Sequence, residues 1–171
     1  MNVCVRAAID GDLEAVASLH AQAFSRQRDS KQWVIATLAA APRLLAFVLL
    51  IDGNIRGYAF WAQKSGLRAL VTLELDQIAI CAAWQRQGLG ARLIKDSLDQ
   101  LVARLRHSGQ TVQNILISTR ADNQAQSLYQ QVLGATTVAT IEGLYSGTEV
   151  FMLAPVQPPT HRWKRLYALP F

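Results

Sequence analysis

The stretch Gln85-Arg86-Gln87-Gly88-Leu89-Gly90 constrains this chain more than any other. Before it lies an extended apolar segment, residues 71–80, reading Val-Thr-Leu-Glu-Leu-Asp-Gln-Ile-Ala-Ile. After it, Ile94, Leu98, Leu101 and Leu105 recur at steps of four, three and four, which is one face of a helix. A strand therefore runs through a short loop into a glycine-bearing turn that opens a helix. Two glycines let the backbone approach a ligand with no Cβ in the way. The unpaired N–H groups of a first helical turn and the positive end of the helix dipole converge on one spot. That arrangement favours a phosphate.

The strand carries a second clue. Val71, Leu73 and Leu75 are apolar at odd positions, whereas Ile78 and Ile80 are apolar at even ones. Because side chains alternate faces along a strand, this change of phase needs one extra residue near Asp76-Gln77, a β-bulge. A bulge there splays the strand from its neighbour and frees backbone groups beside the phosphate turn. Those groups suit a ligand arm that contains amides.

Ile78-Ala79-Ile80 followed by Gln85-Arg86-Gln87-Gly88-Leu89-Gly90 resembles the acetyl-CoA signature Q/R-x-x-G-x-G/A of the GNAT superfamily of N-acetyltransferases. The resemblance implies that the backbone of Gln85, Arg86, Gln87, Gly88, Leu89, Gly90 and Ala91 grips the pyrophosphate of acetyl-CoA. It also implies that the strand at Ile78, Ala79 and Ile80 pairs with pantetheine. Arg120-Ala121-Asp122-Asn123 followed by Leu128-Tyr129 resembles the family's second cofactor segment, in which an Asn contacts the cofactor and a Tyr protonates the leaving thiolate. Those roles fall on Asn123 and Tyr129. The Tyr-to-Gly step, from Tyr129 to Gly134, is five where the family commonly has four. Histone-type members carry a general-base Glu six residues before the position of Ile80, which is Glu74 here, with Asp76 as the alternative. The segment joining the first two helices borders the acceptor in this family, so the resemblance implies Trp33, with Arg26 and Arg28, as candidate substrate-side residues; Asp76, on the strand, is another candidate. Members that acetylate protein N-termini often carry a Glu where this chain has Ser118, and Leu144-Tyr145-Ser146 matches their Tyr-Tyr segment poorly.

The order along the chain agrees with that resemblance. Residues 3–6 read as a strand. Asp10 is placed as the N-cap of a helix whose stripe is Leu13, Val16, Ala17, His20 and Phe24. His20 reads as a packed helix residue rather than a ligand. Ser30 is placed to cap a second helix, residues 31–40, stopped by Pro42. Residues 44–51 and 55–63 form a hairpin around Asp52-Gly53-Asn54. The motif helix, a short buried strand at 115–119, a helix bearing Ala125, Leu128, Tyr129, Val132 and Leu133, and a hairpin of residues 136–141 and 149–153 complete the pattern. The expected fold is α/β of GNAT type: a mixed, mostly antiparallel sheet of about seven strands flanked by about four helices, with the splay near Asp76-Gln77. Residues 1–154 make one domain. Residues 155–171 are a tail, first proline-rich and therefore expected to leave the sheet, then aromatic and basic. The tail packs back on the domain or onto a second subunit, which keeps a homodimer open.

Composition narrows the classes. A 171-residue chain that is 51% hydrophobic and 17% charged is globular. No apolar run reaches the roughly 18 residues of a membrane span, and the first residues show no signal-peptide pattern, so a cytoplasmic protein is expected. Cys4 and Cys81 read as buried thiols, and His20, His107 and His161 lack metal-ligand spacing; no metal site is expected. The net charge of +5 suits a polyanionic cofactor. Its scattered clusters read as solvated surface rather than a nucleic-acid face.

The function this implies is transfer of an acetyl group from acetyl-CoA to a primary amine of a small molecule or peptide, by direct attack in a ternary complex. A toxin-like aminoacyl-tRNA acetyltransferase and a non-catalytic acyl-CoA-binding regulatory domain are the competing readings.

Overall fold

Burial and hydrogen bonding in the computed structural model, which describes residues 1–66 and 68–156, follow from a sheet whose two faces are both covered. The chain runs β1 (Val3–Ala7), α1 (Leu13–Ala23), α2 (Ser30–Ala39), β2 (Leu44–Ile51), β3 (Asn54–Gln63), β4 (Leu70–Ile80), α3 (Leu89–His107), β5 (Thr111–Arg120), α4 (Ala125–Leu133), β6 (Thr136–Ile141) and β7 (Glu149–Pro155). The seven strands form one sheet in the order β1-β2-β3-β4-β5-β7-β6. Every neighbouring pair is antiparallel except β4 and β5, which run parallel. A parallel pair needs a crossover, and α3 supplies it. This is the mixed seven-stranded, four-helix fold expected from the sequence.

Alternation along the strands builds two cores. Phe47, Leu49, Leu73, Leu75, Ile115 and Ile117 face α3, where they meet Leu93, Ile94 and Leu101. Val48, Tyr58, Phe60 and Ala79 face the other way and meet Val16, Ala17 and Leu19 of α1 and Val34 of α2. Polar atoms in the first core are paired: the Trp61 indole donates to Ser97 Oγ at 2.9 Å, and Ser97 Oγ donates to the Leu93 carbonyl at 2.6 Å. Such pairing removes the cost of burying them.

Several local expectations are revised. The entry to α1 is held by Asp12 rather than Asp10. A short 3₁₀ turn over Asp10–Asp12 precedes the helix, and the buried Asp12 carboxylate accepts from the two terminal nitrogens of the Arg6 guanidinium (2.6 and 2.9 Å) and from the Ile9 N–H (2.9 Å). Ser30 begins α2, but its hydroxyl serves His20 Nδ1 at 2.8 Å instead of the helix. Cys4 is exposed and Cys81 half-buried, both free, so neither is the buried thiol expected. Pro155 stays in the sheet opposite Asn114, because it ends the strand and its missing N–H costs no ladder bond. The rest of the predicted tail, from residue 157, lies outside the described residues. Among the described residues no helix is long and apolar enough to cross a membrane.

Candidate active site

The site begins at the break in β4. Phe60 pairs with Gln77 and Trp61 with Leu75, so Asp76 is the extra residue of the predicted bulge. On its other edge β4 pairs with β5 only as far as Glu74, opposite Leu116. Beyond that point the two parallel strands part, and Ile78, Ala79 and Ile80 pair with β3 alone. Gly57 makes this end of the β3–β4 pair tight: a Cβ there would stand 2.5 Å from Ile80 Cδ1 and 3.0 Å from the Ala79 carbonyl oxygen.

The loop after β4 is fastened at both ends. The Cys81 N–H donates to the Arg56 carbonyl at 2.8 Å, and the Gln85 side-chain amide donates to the Ile80 carbonyl at 2.9 Å. Arg86 and Gly88 take left-handed backbone, φ +59° and +76°. The Arg92 N–H then reaches the Gly88 carbonyl at 3.1 Å to start α3. The N–H groups of residues 86–91 find no acceptor among the described residues. Six consecutive free amides at a helix N-terminus, with exposed Arg86 beside them, fit a pyrophosphate. A Cβ on Gly88 would meet nothing within 4 Å, so a side chain there projects into the open space beside the amides. Leu89 belongs to the core at 5% exposure and offers the ligand only its backbone.

Where β4 and β5 part, a cleft of about 340 Å³ opens, bordered by Asp76, Gln77, Ser118, Asn123, Tyr129 and, from α1, Phe24. Ile78, Ala79, Ile80 and Gln85 line it too, so the strand and the second cofactor segment meet in one space. Tyr129 is 5% exposed, and burial pushes its phenol above the ordinary tyrosine range. It keeps its proton at neutral pH and serves the cleft and the α3-side core at once. Asn123 spends both polar ends on the protein: Oδ1 accepts from the Ala125 N–H at 2.9 Å, capping α4, and Nδ2 donates to Thr119 Oγ1 at 2.7 Å.

The two carboxylates of β4 differ. Glu74 is 8% exposed, accepts from Lys64 Nζ at 2.9 Å and takes a long contact of 3.3 Å from Ser118 Oγ. It does not border the cleft. Asp76 does, reaches solvent, and has no ion-pair partner among the described residues. Partial desolvation in the cleft raises its carboxyl above the ordinary range, and the charge of Glu74 adds to this while Lys64 offsets it. Trp33 sits on α2 with 48% of its surface exposed and outside the cleft lining. Arg26 lies in the turn after α1, near enough to Asp122 to add slightly to the depression of that carboxyl, which its hydrogen bonds from Arg120 dominate.

Sequence reasoning missed Lys64, Gln77, Phe24 and Tyr58. Gln77 Oε1 and the Tyr58 hydroxyl are buried without hydrogen-bond partners among the described residues, as is His20 Nε2. Phe24 is visible in sequence as the last member of the α1 stripe, but nothing there shows that the stripe ends on the cleft. The others carry no local signal, because their neighbours come from other strands.

A mixed sheet split at a bulge, with free amides at a helix N-terminus on one side of the split and a buried tyrosine on the other, defines an acyl-CoA-dependent transferase. The model of the acetyltransferase (GNAT) family matches residues 13–135, more than half of the chain. The chain belongs to that family, whose cofactor is acetyl-CoA. Among solved structures, the ribosomal-protein-S18-alanine N-acetyltransferase of Escherichia coli is 22% identical, with a TM-score of 0.69 over 99% of this chain and 100% of its own. An aminoglycoside 6'-N-acetyltransferase complexed with coenzyme A has a TM-score of 0.75 at 10% identity, over 92% and 99% of the two chains. An N-acetyltransferase from Staphylococcus aureus Mu50 gives 0.69 at 16% identity, over 92% and 100%. These likenesses establish the shared fold. No curated protein matches the sequence significantly.

Proposed function

We propose that the chain transfers the acetyl group of acetyl-CoA to a primary amine of a small molecule or peptide by direct attack in a ternary complex. The observation that carries this reading is that Asp76 and Tyr129 border one cleft, whose β4 wall leads directly into the free amides of residues 86–91. Acetyl-CoA supplies a thioester carbon as electrophile. The loop amides hold its diphosphate, and the unpaired edge of β4 at Ile78, Ala79 and Ile80 holds its amide arm. Asp76 takes the proton that an ammonium must lose before its nitrogen attacks, directly or through one water. As the C–N bond forms and the C–S bond breaks, Tyr129 gives its phenol proton to the departing sulfur and regains one, the second proton that the nitrogen must lose. Glu74 is not the base in this scheme, because its carboxylate faces Lys64 rather than the cleft.

Calorimetric titration with acetyl-CoA, followed by thiol release across a panel of amines, tests the reading. Wild type binds and releases thiol only when an acceptor amine is present. Gly88→Trp fills the space beside the amides and loses binding at least 100-fold. Wild-type affinity in a folded Gly88→Trp variant overturns the cofactor site, and binding without thiol release on any amine overturns the transfer reaction.

A further inference from the structure

We infer that Lys64, Glu74 and Ser118 form a positioning cluster behind the cleft that tunes Asp76 electrostatically. This rests on the acetyl-transfer reading above and extends it to residues that do not touch the acceptor. Glu74 is the last β4 residue paired with β5, two positions before the bulge that turns Asp76 into the cleft. A carboxylate buried to 8% exposure is costly unless it is paired, and its partner Lys64 is 46% exposed, so that water screens the pair. Its stability value is therefore poor, but its position is specific. Lys64 reaches it from the segment after β3, which is fixed by the Lys64 N–H on the Thr72 carbonyl at 2.9 Å. Ser118 both borders the cleft and donates its hydroxyl to Glu74, so the cluster is connected to the reacting space through one oxygen.

The charged and titratable groups around Asp76 are few. Glu74 lies on its own strand, Lys64 comes from the β3–β4 connection, Tyr58 from β3 and Tyr129 from α4. The Tyr58 phenol is fully buried and held protonated by burial and by the charge of Asp76, and His20 of α1 stacks on it with ring centroids 6.3 Å apart. Among the described residues, Glu74 and Lys64 carry the charges that oppose each other at Asp76. Glu74 favours the protonated carboxyl, and Lys64 opposes that effect. Removing the two charges singly must then act in opposite directions.

The experiment follows the Asp76 carboxyl by ¹³C NMR in aspartate-labelled protein, its signal assigned by loss in Asp76→Asn. The acid limb of kcat/KM at saturating acetyl-CoA is measured in parallel. Glu74→Gln moves both midpoints to lower pH and raises kcat/KM severalfold on the acid limb. Lys64→Gln moves both to higher pH, the double variant returns towards wild type, and Lys64→Arg keeps the wild-type midpoint. Carboxyl midpoints that stay put in folded Glu74→Gln, or that move in one direction in both single variants, overturn the cluster. Should Lys64→Gln fail to fold, Glu74→Gln with Lys64→Arg still decides it. A fully active Asp76→Asn overturns Asp76 as base, and the NMR midpoints judge the electrostatic coupling independently of that outcome.

Discussion

At the scale of single residues, burial divides the polar groups of this protein into those that hold it together and those that face the reaction. Tyr129 does both, being packed in the core and bordering the cleft. Tyr129→Phe removes one oxygen and no packing, so single-turnover measurements should show the chemical step slowed roughly 100-fold with acetyl-CoA affinity retained. An unchanged chemical step would leave Tyr129 a purely structural residue. Asp12 is the structural counterpart. Its carboxyl is held below the ordinary range, chiefly by the Arg6 hydrogen bonds and also by the Ile9 N–H. A carboxyl lowered on folding contributes stability that is complete above its unfolded value, about 3.9, and is lost as pH falls through the folded value. Asp12→Asn should cost about 2 kcal/mol at pH 7 and flatten the acid side of the urea-melt profile below pH 4. An equally steep acid loss in the variant would assign it to other carboxylates.

At the scale of elements, β4 and α3 show how far local pattern reaches. The phase change from Leu75 to Ile78 calls for a bulge near Asp76-Gln77 because a strand's side-chain period is two, and the structure puts the extra residue at Asp76. The helical step that marks α3 was likewise readable, although its most deeply buried members include Leu93 and Ser97 beside the expected Ile94, Leu101 and Leu105. Leu93 is 0% exposed, central to the core and packed near Gly57. Leu93→Ala should destabilise the fold by about 3 kcal/mol, read as a lowered denaturation midpoint with little change in slope; a loss below about 1 kcal/mol would mean that the site collapses around the cavity. The cap at Asp10 was misplaced for a physical reason. Two aspartates flank Gly11, and the choice between them depends on Arg6, which the sheet brings alongside.

At the scale of the whole molecule, the glycine loop before α3, the β4 edge and the segment from Asn123 to Tyr129 sit on separate elements that only the folded sheet keeps together. Acetyl-CoA should therefore stabilise the protein globally. At 100 times Kd the gain is about 2.7 kcal/mol, seen as a higher melting temperature that Gly88→Trp does not show. A ligand-independent Tm in wild type would contradict a site built only in the native state. By itself the sequence determined the order of elements, the bulge, the glycine turn before α3 and the family, because each is written in short-range spacing: period two, period three to four, and paired glycines. The tertiary structure alone decided which carboxylate faces the cleft. Glu74 and Asp76 are two residues apart and indistinguishable by pattern, yet Lys64 from the β3–β4 connection and Ser118 from β5 hold one carboxylate, while the splay of β4 from β5 leaves the other open to the cleft.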